Sequence, residues 1–69
     1  MEDWQERVVV ERDELNIKLI KLGAFLYDDV FLTLSPIDRT LLKCQHMAMN
    51  VYCRILSERI ALFKGVHQP

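Results

Sequence analysis

One helix can bury one side of another, and the first half of this chain offers two apolar sides. At roughly 100° of rotation per residue, Trp4, Val8, Leu15, Leu19, Leu22 and Leu26 line one edge of a predicted first helix, and Val9, Val10, Ile17, Ile20, Ala24 and Tyr27 line another. A single partner helix covers only one of these stripes, which argues for self-association. Size points the same way: below about 70–80 residues a lone core rarely supplies more than ~3–5 kcal/mol without disulfides, metal or oligomerisation, and this chain has 69 residues. Cys44 and Cys53 are nine positions apart on one predicted helix, so they point to different sides and cannot bridge; they read as reduced packing thiols.

The expected fold is all-α: an antiparallel two-helix hairpin forming one domain over residues 1–69 and assembling into a homo-oligomeric bundle, with dimer, tetramer and hexamer all open. Helix 1 is expected over about residues 2–27. Its first turns hold Glu2, Asp3 and Glu6 at the positive end of the helix dipole, and Asp3/Arg7 and Glu14/Lys18 sit four apart in acid-first order. Gly23 interrupts an otherwise continuous pattern and reads as a close-packing position or a kink. Residues 28–34 form a connector with room for one short helical turn. Ser35 as N-cap, Pro36 at the first helical position and Asp38 two residues beyond mark the start of helix 2. That helix is expected to run from 36 to about 64, where Lys64 and Gly65 give a stop, leaving residues 65–69 as a tail.

Composition narrows function by exclusion. With 51% hydrophobic residues the chain is too apolar for a disordered tail, yet 28% are charged and no apolar run approaches the roughly 20 residues of a membrane span. No basic segment followed by an apolar block opens the sequence, so a cytoplasmic location is expected. His46 and His67 have no acid or nucleophile at diagnostic spacing, no glycine-rich phosphate loop is present, and the Cys and His positions match no zinc pattern. Neither an enzyme, a cofactor nor a metal is expected. Residues 2–27 hold six acids and four bases, whereas residues 35–64 hold two acids and five bases, so helix 2 is the element that favours anions. The overall charge of −1 is too weak for a nucleic-acid polymer, leaving a small anion.

On helix 2, Arg39, Lys43, His46, Asn50, Arg54, Ser57, Ala61 and Lys64 recur every three or four residues as a polar strip, ordinarily a solvated face. Arg59 falls instead with Leu41, Ala48, Tyr52 and Ile55. Buried there, its guanidinium needs a partner: a carboxylate from Glu2, Asp3 or Glu6 across the hairpin, or a ligand phosphate. Glu11 breaks the first stripe and invites a basic partner. Trp4 reads as a core or interface anchor, with stacking on a base as the functional alternative.

Several of these residues also carry a resemblance. Glu2-Asp3-Trp4-Gln5-Glu6-Arg7-Val8, the stretch from Leu22 to Phe25, and Leu41-Leu42, Gln45, Ala48-Met49, Tyr52, Leu56 and Arg59-Ile60 resemble a family of short phage proteins named after an uncharacterised crAss-like phage gene product. The resemblance implies expression in a bacterial host's cytoplasm. The architecture is also similar to helical-hairpin anti-CBASS and anti-Thoeris sponges, whose signature residues the chain lacks; at fold level this implies sequestration of a cyclic oligonucleotide or ADP-ribose derivative. The expected ligand-binding set is Trp4, Arg7, Tyr52 and Arg59, with Lys43 and Arg54 as secondary members. An adaptor offering its apolar face to a host protein is the competing reading, and a DNA-binding regulator ranks third.

Overall fold

The computed structural model describes the backbone of residues 2–66 and the side chains of residues 2–63. Among these residues the fold is all-helical: α1 (Asp3–Phe25), a single turn α2 (Asp29–Leu32) and α3 (Pro36–Val66). The rod measures 54 × 16 × 14 Å, with a radius of gyration of 15.8 Å against about 11 Å for a compact domain of this length.

Each helix starts where a side chain replaces a missing backbone partner. At α1 the Gln5 side-chain oxygen accepts the Glu2 N–H at 2.9 Å, and Gln5 is almost fully buried. At α2 the Asp28 carboxylate accepts from Val30 N–H at 2.8 Å. This explains why α1 stops at Phe25 rather than near Tyr27: Asp28 is committed to capping the next turn, and the chain tightens through Tyr27 N–H to Ala24 O and Asp28 N–H to Phe25 O. At α3, Ser35 Oγ accepts from Asp38 N–H at 3.2 Å and donates to the Asp38 carboxylate at 2.9 Å. The far end of α3 continues through Gly65 to Val66; no described glycine has a positive φ, so Gly65 extends the helix instead of capping it. The expected tail at residues 67–69 lies outside the described residues.

α1 and α3 lie side by side in opposite directions, with Trp4 against Phe63, Arg12 against Ser57 and Gly23 against His46. Val8, Leu56 and Phe63 form the core, flanked by Leu15 and Ile60. Phe31 of α2 is buried and meets Phe25 edge-on at 6.1 Å, closing the end between the long helices. The first apolar stripe of α1 is thus the packed one. Of the second, Val10, Ile17, Ile20, Ala24 and Tyr27 are all exposed.

On α3 the packed seam runs through Arg39, Leu42, His46, Met49, Cys53, Leu56, Ile60 and Phe63, all buried or half-buried at alternating spacings of three and four. The polar strip is therefore not uniformly solvated. Arg39, His46 and Ser57 turn into the seam, and Arg39 Nε is buried without a partner among the described residues, whereas Lys43, Asn50, Arg54 and Ala61 remain outside. α1 sits on the border between the polar strip and the apolar face, and leaves most of that face uncovered. Cys53 is buried in the seam and Cys44 is exposed, both as free thiols.

Gly23 is a close-packing position: a Cβ there would lie 3.1 Å from His46 Nε2. Alanine is about 1 kcal/mol better than glycine in a helix interior, so Gly23→Ala in a His46→Ala background should stabilise the protein by about that amount, while Gly23→Ala alone should gain less because the imidazole must move. Equal gains in both backgrounds, read from urea midpoints at fixed protein concentration, would contradict this packing. Leu56, at 0% exposure, should cost about 2–5 kcal/mol when cut to alanine by the same measurement.

Candidate functional site

The uncovered face of α3 is a stripe of Leu41, Ala48, Tyr52, Ile55 and Leu62, spaced to share one side of the helix, with Arg59 among them. Arg59 is exposed. No carboxylate approaches it within ion-pairing distance among the described residues, whose ion pairs are Asp3–Arg7 at 3.9 Å and Arg12–Asp13 at 2.8 Å. The anticipated bridge to Glu2, Asp3 or Glu6 is absent because α1 lies beside this stripe instead of over it.

Where the stripe reaches the open end of the rod, Arg59 and Leu62 border a hollow of about 280 Å³ with Trp4, Gln5 and Phe63. Trp4 packs edge-to-face on Phe63, centroids 5.0 Å apart and planes at 82°, yet stays 48% exposed. Held on one side by Phe63 and by the capped first turn of α1, the indole is a fixed aromatic surface next to a guanidinium. An aromatic plane beside a planar fork of donors suits a base and a phosphate, respectively.

Glu11 and Tyr52 supply the neighbouring polar contact: the phenol donates to Glu11 Oε2 across α1 and α3. Glu11 therefore finds a phenol and not the basic residue anticipated for it. The bond to Glu11 is the main cause of a raised Tyr52 pKa, with desolvation and the carboxylate's charge adding to it and the charge of Arg59 opposing it. Tyr52 and Arg59 are thus electrostatically coupled, as their seven-residue spacing on one face suggests.

The six anticipated binding residues do not converge. Trp4 and Arg59 share the hollow, and Tyr52 lies along the same stripe. Arg7 is exposed on α1 and paired with Asp3. Arg54 stands on the outer polar strip. Lys43 is sixteen residues from Arg59, about 24 Å along the helix, with its ammonium 5.9 Å above the Phe31 ring. Gln5, Leu62 and Phe63 were not anticipated as site residues. The signal for Gln5 was present as a glutamine three residues after the cap at Glu2. Among the described residues no group of three or more His, Cys, Asp or Glu could hold a metal ion, and no helix is long and apolar enough to cross a membrane.

Replacing Glu11 by Gln removes the charge that favours the neutral phenol, so Tyr52 should titrate lower in Glu11→Gln, read as tyrosinate absorbance in a Tyr27→Phe background. Because the folded state raises this pKa, the bond's contribution to stability is present below the ordinary phenol value and is lost as pH rises through the raised one. A Tyr52 titration indifferent to Glu11→Gln would contradict the contact.

Comparison with known proteins places this geometry in a family. The Sequestin family profile matches residues 2–62. A phage relative, the "uncharacterized 7.5 kDa protein in denB-rIIB intergenic region" of Enterobacteria phage T4, is 41% identical over 61 residues, covering 88% of this chain and 95% of the relative. No solved structure matches significantly. Neither finding links the chain to crAss-like phages in particular. The match across nearly the whole chain, together with the T4 relative, shows that this protein belongs to the Sequestin family, a family of small phage proteins.

Proposed function

We propose that this protein is a phage counter-defence protein that binds a small nucleotide immune signal, a cyclic oligonucleotide or an ADP-ribose derivative, at junctions between its subunits and holds it without catalysis. The observation that carries this reading is a lone cation in an uncovered apolar stripe: Arg59 among Leu41, Ala48, Tyr52, Ile55 and Leu62. When a second copy covers that stripe, in a dimer, tetramer or hexamer, the guanidinium loses water, and an unpaired buried charge costs several kcal/mol. A phosphate supplies the missing anion through paired hydrogen bonds. The exposed side of Trp4 offers a stacking surface for a base, and Tyr52 borders the same junction. Ligand and assembly then stabilise each other, so tight holding requires no catalytic group. The family's name speaks of sequestration and names no ligand; the T4 relative adds a phage context. The bacterial cytoplasm is where such a signal would be met.

A second reading is favoured by the other uncovered surface. Val10, Ile17, Ile20 and Ala24 on α1 lie away from Arg59 and would serve an adaptor or inhibitor that docks on a host protein.

A thermal-shift panel of cyclic di- and trinucleotides, cyclic ADP-ribose isomers and linear nucleotides separates the two. One signal class should raise the midpoint by several degrees, since ligand at 100 times its dissociation constant adds about 2.7 kcal/mol. Arg59 is exposed and has no ion pair among the described residues, so Arg59→Ala should fold as well as the parent and lose that shift. A flat panel with an intact fold, or a shift that survives Arg59→Ala, would contradict the proposed site.

A further inference from the structure

A second hollow, larger than the one beside Trp4 and Arg59, lies at the other end. It measures about 520 Å³, within the size range of small-molecule sites, and its apolar lining is Leu26, Leu32 and Met47 around the buried Phe31. Tyr27 and Lys43, both exposed, and the half-buried His46 complete its lining. None of these belongs to the Trp4–Arg59 hollow, and by helical angle Lys43 lies on the polar side of α3, away from the Leu41–Leu62 stripe. A subunit contact made through that stripe would not use Lys43.

We propose that this closed-end hollow is a separate binding site for a planar aromatic anion of nucleoside monophosphate size. Three features fit that ligand. Tyr27 is 93% exposed, an aromatic ring at the mouth with its faces available for stacking. Lys43 holds its ammonium 5.9 Å above Phe31, within cation–π range, so the charge stands over an apolar floor with no carboxylate in ion-pairing distance among the described residues. His46 forms the inner wall, where the absence of a side chain at Gly23 admits the imidazole against α1. The nearest acid in sequence, Asp28, is turned to its own cap on Val30 N–H, and no acid lines the hollow. The arrangement offers an aromatic ring the exposed Tyr27 and an apolar lining, and offers a phosphate one ammonium and one imidazole as donors.

This site does not depend on the sequestration reading, and a residue-resolved titration keeps the two apart. AMP titrated into the ¹⁵N-labelled full-length protein should shift the amides of residues 26–32 and 43–47. Adenosine, which lacks the phosphate, and ribose 5-phosphate, which lacks the ring, should each bind about tenfold more weakly. Lys43→Glu and Tyr27→Ala change exposed side chains and should each weaken AMP by a similar factor, while Lys18→Glu, the same charge change on the exposed side of α1, should leave it unchanged. Shifts confined to residues 4–5 and 59–63 would overturn this site while sparing the other. No shift at roughly millimolar AMP, or equal binding by Lys43→Glu and Lys18→Glu, would overturn it outright.

Discussion

Everything else in the structure depends on where α1 lies along the circumference of α3. It could have covered the middle of the apolar face. Instead it occupies the border, on a seam that takes in Arg39, His46 and Ser57 together with Leu42, Met49, Cys53, Leu56, Ile60 and Phe63. The buried core is consequently small, with Val8, Leu56 and Phe63 at its centre, while fourteen large hydrophobic side chains among the described residues stay exposed.

That placement also sets the electrostatics. Had α1 covered the stripe, Arg59 would have needed an internal carboxylate and would have had no capacity left for a ligand. With α1 at the border, Glu11 is engaged by Tyr52 and Arg59 is left beside Trp4. In the proposed function, anion binding and subunit packing would share this one surface, and the ligand would relieve the desolvation that makes a buried cation costly. The polar side of α3 is released for separate use, and Lys43 stands over Phe31 at the opposite end.

Much of this was legible in the sequence. The two stripes of α1 were, and the structure packs the one containing Val8 and Leu15 while leaving Ile17 and Ile20 exposed. The Ser35–Pro36–Asp38 start and the short turn in the connector were legible too, because caps are local; of the two readings open for Gly23, close packing or a kink, the structure shows close packing. The border position of α1 was not. An apolar face wider than one helix does not say which part of it is covered, so the sequence reads His46 as solvated and Arg59 as buried, whereas α1 covers His46 and leaves the face of Arg59 open. The partner of Glu11 was missed for the same reason: cross-helix pairs follow from register, and charge alone suggested a base where the register supplies the Tyr52 phenol.

On this reading the 8.2 kDa chain is an unfinished core that further copies of itself would complete through the α3 stripe. Sedimentation equilibrium of the ligand-free protein, set beside a Leu41→Glu, Ile55→Glu variant, decides the point. Both positions are exposed in the single chain, so the substitutions spare the internal packing. The parent should sediment as a closed oligomer of even subunit number and the variant should dissociate; a parent that sediments as a stable, folded monomer at micromolar concentration would overturn completion through the α3 stripe.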